Sequence, residues 1–210
     1  MAEVLILVLE VIGTIAFAIS GATVAIKNKL DLLGVIILGC MTACGGGMIR
    51  DVMLGQIPSM FSNPLYLLIA FITSIFVFLF FYFFHHKNLH LNAFLLVCDA
   101  LGLGVFVALG CQKTIDLGHT GILIVVFMGV MTGVGGGIIR DVLVSNIPYI
   151  LKKHIYCVAA ILGGLVFYLF YYLQLSLSLG SILCIGIVLL IRILASTFKW
   201  SLPKIKEEEI

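Results

Sequence analysis

Two segments of this 210-residue chain place ionisable side chains inside apolar runs: Gly45-Gly46-Gly47-Met48-Ile49-Arg50-Asp51-Val52 and Gly135-Gly136-Gly137-Ile138-Ile139-Arg140-Asp141-Val142. Each sets a guanidinium beside a carboxylate just after three glycines. A guanidinium offers a planar fork of donors to an oxyanion, and a carboxylate offers oxygens to a cation. Glu10 and Asp99, in two further apolar runs, add two acids. A charge near the middle of a membrane-spanning helix costs about 2.5–3.5 kcal/mol on insertion scales, so this set, left unpaired in lipid, would cost on the order of 15–20 kcal/mol. That exceeds a typical folding free energy, so the groups must face one another or water. Their chemistry is the pairing and passage of ions. No Gly-x-Ser-x-Gly, His-Glu-x-x-His or Walker-type segment occurs and no histidine lies deep in a span, so neither an enzyme nor a bound cofactor is expected.

Depth along the helices suggests which groups pair. Glu10 and Arg50 each lie six or seven residues from one membrane face, and Asp99 and Arg140 seven or eight from the other. At 1.5 Å per residue, each pair is level at roughly 10 Å depth. The expected ion pairs are therefore Glu10–Arg50 and Asp99–Arg140. Asp51 and Asp141 are left over and expected to face an ion path, and four acids against two arginines give that path a cation-attracting balance of −2. Three glycines in a row cost roughly 3 kcal/mol of helix propensity relative to alanines. Gly45, Gly46 and Gly47, like Gly135, Gly136 and Gly137, fall at or past the middle of their spans. They either break the helix and expose carbonyls to a cavity or let two helices approach closely; the break is the reading favoured here, because packing needs glycines on one face rather than three around it. Thr42, Thr132 and Ser20 supply hydroxyls that either coordinate a cation or bond back to their own helices.

The elements that must hold these groups follow from composition. Hydrophobic residues make up 62% of the chain and charged residues 10%, and mean hydropathy is +1.27. A soluble domain is about half apolar and a quarter charged, so the chain is an all-α integral membrane protein and not a nucleic-acid-binding module. Seven runs are long enough to span: residues 4–26, 32–55, 64–84, 91–111, 120–145, 155–173 and 180–198. Residues 33–60 align without gaps on 123–150 with 14 of 28 positions identical, and Glu10, Gly13, Phe17 and Gly21 match Asp99, Gly102, Phe106 and Gly110 at an offset of 89. The chain reads as one membrane domain of two three-helix repeats, 4–84 and 91–173, with a seventh helix, 180–198, and a tail, 199–210. Three helices is an odd number, so the second repeat enters from the opposite face. Inverted repeats with interrupted helices are a transport architecture with a site near the midplane. Lys27, Lys29, Lys87, Lys152, Lys153, Lys199, Lys204 and Lys206 fall on one side, against Lys113 alone on the other. Excess lysine marks the cytoplasmic side, which puts the N-terminus outside and the C-terminus inside a cell inner (plasma) membrane.

The remaining residues read more plainly. The six cysteines form no Cys-x-x-Cys pair and are expected as small core residues, and His85, His86 and His90 as an interfacial loop cluster rather than a metal site. Helix three holds seven of the 15 phenylalanines and should form a lipid-facing wall. Pro58 and Pro148 are expected to end the second and fifth spans.

The repeated Gly-Gly-Gly-x-Ile-Arg-Asp-Val followed by Ile-Pro, with Phe17-Ala18-Ile19-Ser20-Gly21-Ala22 and Asp99-x-x-Gly102-x-x-x-Phe106, resembles the prokaryotic branch of the trimeric intracellular cation (TRIC) channel family, whose bacterial members also carry a glycine-transporter label. The resemblance runs from the first helix to the seventh. It implies a homotrimer in lipid, with a potassium-permeable pore in each protomer beside the broken second and fifth helices, at Gly45, Gly46, Gly47, Arg50 and Asp51 and at Gly135, Gly136, Gly137, Arg140 and Asp141. The lipid-binding Lys-Glu-Gly-Gly segment of animal members has no counterpart here. Two functions fit the residues: a channel for permeating K+ or Na+, or a secondary transporter of a small amino acid such as glycine. In the transporter an arginine would take the carboxylate and an acid the ammonium.

Overall fold

The computed structural model describes residues 2–84, 91–152 and 155–200, and every regular element among them is helical. In chain order these are α1 (Ala2–Lys27), α2 (Leu32–Met53), α3 (Ser59–Ser62), α4 (Leu65–Phe84), α5 (Leu91–Asp116), α6 (Ile122–Leu143), α7 (Tyr149–Lys152), α8 (Ile155–Tyr172) and α9 (Leu177–Thr197). Seven are long and apolar enough to cross a membrane. The two short ones, α3 and α7, occupy the same place in the two repeated segments. His85, His86, His90, Lys87, Lys153 and the tail from residue 201 lie outside the described residues.

The helix at the centre is α5, which packs against α1, α6, α8 and α9. Its Leu103, Val105, Val107, Ala108 and Cys111 are all buried. Around it, α1 packs on α2, α2 crosses α6, and α8 packs on α9. On the rim, α4 leaves Phe71, Phe76, Phe80, Phe83 and Phe84 exposed, an apolar wall suited to lipid. All six cysteines are free thiols, buried or half-buried.

Both glycine-rich helices run unbroken through their triplets: α2 is continuous over Leu32–Met53 and α6 over Ile122–Leu143. The expected breaks are absent, and the reason is tertiary. A methyl group on Gly46 would overlap the Thr132 carbonyl oxygen, and one on Gly136 would overlap that of Thr42. The Cα of Gly46 lies 3.1 Å from where a Cβ of Gly135 would sit. The two helices therefore touch backbone to backbone at the triplets. Close approach offsets the propensity cost that seemed to demand a break, and continuous hydrogen bonding keeps the carbonyls satisfied.

The ends of α2 and α6 also differ from expectation. They stop at Met53 and Leu143, five residues before the prolines, and two residues further on the backbone turns left-handed, at Gly55 (φ 67°) and Ser145 (φ 56°). Gln56 N–H donates to the Asp51 carbonyl and Asn146 N–H to the Asp141 carbonyl, both at 2.8 Å, closing each helix by a six-residue wrap. Pro58 and Pro148 then stand immediately before α3 and α7, beginning these short helices rather than ending the long ones.

Candidate ion-path site

Two clusters of polar groups form inside the bundle, toward opposite ends of α1. In the first, α1 supplies Glu10, α2 supplies Arg50 and Asp51, α3 supplies Ser59 and α4 supplies Tyr66. Arg50 Nε donates to Asp51 Oδ1 at 2.8 Å, with Nη2 2.7 Å from the same oxygen. Asp51 Oδ2 accepts from both the backbone N–H and the hydroxyl of Ser59, each at 2.7 Å. The Tyr66 hydroxyl donates to Glu10 Oε2. Glu10, Thr14, Gly47, Arg50, Tyr66 and Phe106 are among the residues lining a cavity of about 60 Å³, room for a few waters.

The second cluster mirrors the first and then adds to it. Arg140 Nε donates to Asp141 Oδ1 at 2.8 Å, and Arg140 Nη1 donates to Asp99 Oδ1 and Ser20 Oγ, both at 2.7 Å. Asp141 Oδ2 accepts from Tyr149 N–H at 2.7 Å, at the first residue of α7. Arg192 of α9 enters as well. Its Nη2 lies 3.5 Å from Asp99 Oδ2, and its guanidinium stacks over Tyr156 at 4.5 Å and Tyr149 at 5.1 Å from the ring centroids. Ser20, Val24, Asp99, Arg140, Arg192 and Ser196 line a cavity of about 350 Å³.

The expected Asp99–Arg140 pair is present, while the Glu10–Arg50 pair is not. Glu10 and Arg50 share a cavity, as their depth requires, but Arg50 folds back onto its neighbour Asp51 and Tyr66 occupies Glu10. Nor are Asp51 and Asp141 spare acids. Each holds its arginine with one oxygen and the start of a short helix with the other, and they are only 1% and 7% exposed. Both oxygens of each carboxylate are engaged by short bonds within the protein. Asp51 borders the smaller cavity together with Glu10, and Asp99 borders the larger one on the far side.

The hydroxyls divide the same way. Thr42 and Thr132 are fully buried and donate to the Leu38 and Met128 carbonyls one turn back, each at 2.6 Å, so they serve their own helices. Ser20 lines the larger cavity and accepts from Arg140. Of the glycines, Gly47 lines the smaller cavity, Gly137 sits near Arg140, and Gly46 and Gly136 form the helix crossing. Gly45 and Gly135 face Ile139 and Ile49 of the opposite helix. Between the cavities, Phe17 and Phe106 pack with ring centroids 5.2 Å apart. Along α1, Glu10 and Thr14 precede Phe17 and belong to one cavity, while Ser20 and Val24 follow it and belong to the other. Phe17 is 1% exposed, so this layer is closed.

Sequence reasoning missed Tyr66, Ser59, Tyr149, Tyr156 and Arg192. The offset of 90 that aligns the two motifs also aligns Tyr66 with Tyr156 just beyond them. Arg192 has no repeat partner, and its signal was simply a charge inside the last span, which makes the balance of the buried set four acids to three arginines.

A family model described as "Glycine transporter" matches this chain twice, over residues 7–82 and 96–172. The UPF0126 inner membrane protein YadS of Escherichia coli is 41% identical over 204 residues, covering 96% of each chain. The UPF0126 membrane protein YvgT of Bacillus subtilis is 40% identical over 93% of this chain and 94% of its own. Among solved structures, a channel from work on conductance through TRIC cation channels superposes with a TM-score of 0.84 at 38% identity, covering 95% of this chain and 96% of its own. The TRIC trimeric intracellular cation channel orthologue from Rhodobacter sphaeroides does so at 0.85 and 32%, covering 93% and 98%. These relatives are cation channels and membrane proteins. With seven apolar helices in the same fold and near-complete coverage at these identities, the chain is a multi-pass inner-membrane protein that belongs to the TRIC channel family.

Proposed function

We propose that the protein is a monovalent-cation channel, permeable to potassium, with the ion path inside each protomer of a homotrimer. The reading is carried by one observation: two water-sized or larger cavities, each lined by an acid beside a held arginine, stand toward opposite ends of α1, and the Phe17–Phe106 contact lies between them along that helix. A path joining them would pass Glu10 and Gly47 on one side and Ser20 and Asp99 on the other. Opening requires the two phenylalanines to part. Arg50 and Arg140, fixed by Asp51 and Asp141, then act as a rigid frame with Glu10 and Asp99 as the path's acids. The cation-channel character of the solved relatives supports this reading, and the twofold family match supports the division into repeats 4–84 and 91–173. The lysine asymmetry supports an N-terminus outside and a cytoplasmic C-terminus, which places the Glu10 cavity toward the outer face.

A glycine transporter is the second reading. It is favoured by the larger cavity, where Asp99 faces two guanidinium groups within about 350 Å³, a set suited to a zwitterion. Single-channel recording in planar bilayers under a potassium chloride gradient separates the two. Discrete unitary currents reversing near the potassium potential are expected. Saturable glycine uptake without unitary currents would overturn the channel reading.

A further inference from the structure

The duplication gives each half of the protein the same ionic parts: an acid (Glu10 or Asp99), an arginine (Arg50 or Arg140) and the aspartate that holds it (Asp51 or Asp141). Built from these parts alone, the two cavities would each carry one net negative charge. Arg192 alters this. It comes from α9, the spanning helix with no counterpart in the repeat, and it enters only the Asp99 cluster. The Asp99 half-site is therefore neutral, while the Glu10 half-site keeps its negative charge.

Stability does not account for the arginine. Asp99 already has a close partner in Arg140 at 2.7 Å, whereas Arg192 approaches at 3.5 Å. Arg192 is 3% exposed, and its Nε has no hydrogen-bond partner; the hydroxyl of Tyr156, on whose ring it stacks, has none either. A loosely paired buried charge with an unmet donor is a poor way to hold helices together, and apolar side chains of similar volume commonly do as well or better. The charge itself is what the position supplies.

We infer that Arg192 is a charge-asymmetry residue that makes the two mouths of the ion path unequal, so that cations enter more readily from the Glu10 side than from the Asp99 side. This rests on the channel reading. A unit charge about 10 Å from a mouth in water changes the local cation concentration roughly twofold. The ratio of currents at equal and opposite voltages should therefore depart from one by about that factor.

The charge count within the two clusters orders a set of variants, the lysines outside them being common to all. Arg192→Gln makes both half-sites −1, and Glu10→Gln makes both neutral, so in each the current ratio should approach one. Combining the two leaves the Glu10 side neutral and the Asp99 side −1, so rectification should reverse its sign. Arg192→Lys keeps the charge and should keep the wild-type ratio. Full-length protein is added to one chamber of a planar bilayer in symmetric potassium chloride, and the ratio is read from unitary currents. Size-exclusion profiles verify assembly, and Glu10→Gln carries the test should Arg192→Gln fail to assemble. A ratio of one in the wild type, or one that ignores both substitutions or does not reverse in an assembled double variant, overturns the inference and leaves the channel standing. A wild-type protein without unitary currents removes the channel reading and this inference with it.

Discussion

The crossing of α2 and α6 can be tested with single methyl groups. An alanine at Gly46 would drive its Cβ into the Thr132 carbonyl oxygen, with the carbonyl carbon behind it at 3.1 Å. Both atoms are backbone, so no side chain can swing away and the helices must separate. Overpacking of this kind costs typically 1–3 kcal/mol, and backbone against backbone belongs at the upper end. Replacing a helical glycine with alanine returns about 1 kcal/mol of propensity. The net expectation for Gly46→Ala is about 2 kcal/mol of destabilisation, or about 4–8 °C in melting temperature for a chain of this length. Gly47→Ala is the control on the next residue. The nearest atom to its added methyl is Arg50 Nη2 at 3.9 Å, an ordinary contact. It gains the propensity and loses nothing, so it should be neutral or stabilised by about 1 kcal/mol. Gly136→Ala should behave like Gly46→Ala, and the double variant should cost less than the sum of the two, because the first separation relieves the second. Thermal melting of detergent-solubilised protein, followed by fluorescence-detected size exclusion, reads all four. If Gly46→Ala melts with the wild type, or Gly47→Ala loses as much as Gly46→Ala, then close approach is not what the triplets provide.

Asp51→Asn together with Asp141→Asn should fail chiefly in stability rather than in selectivity, because each aspartate oxygen is already bonded; a well-assembled double variant with normal melting but lost cation preference would refute the saturation argument. Arg140→Lys should be the more damaging of the two arginine replacements, since Arg140 serves Asp141, Asp99 and Ser20 while Arg50 holds Asp51 alone; breaking a buried charge pair costs about 3–5 kcal/mol, and equal melting temperatures for the two lysine variants would contradict the geometry. Ser59→Ala removes one of two bonds to Asp51 Oδ2 and should cost about 1 kcal/mol, measurable as a small fall in melting temperature.

Much of this arrangement could be read from spacing. The seven spans, the duplicated segment and the Asp99–Arg140 pair all follow from counts along the chain, because helical rise is fixed and unpaired charge in lipid is costly. What could not be read is whatever depends on two distant segments meeting. The glycine triplets illustrate the limit. Propensity is a local quantity and it argued for a break, but the α2–α6 crossing needs backbone contact that only glycine permits. The same three residues also reach around the helix, toward Ile139 from Gly45, Thr132 from Gly46 and the Arg50 cavity from Gly47. Packing therefore did not need them on one face; one helix is met by different neighbours on different sides. The aspartates failed for a related reason. Counting charges left Asp51 and Asp141 without partners, but a carboxylate has two oxygens, and a helix that ends on a left-handed residue before a proline turns the chain so that the next backbone N–H points back at it. The recurrence of Asp-x6-Pro-Ser and Asp-x6-Pro-Tyr carried that signal in both halves. Arg192 was legible as a charge but not as a partner, since nothing in a repeat predicts the helix that lies outside it. It is the position where the two halves, alike in motif, become unlike in charge.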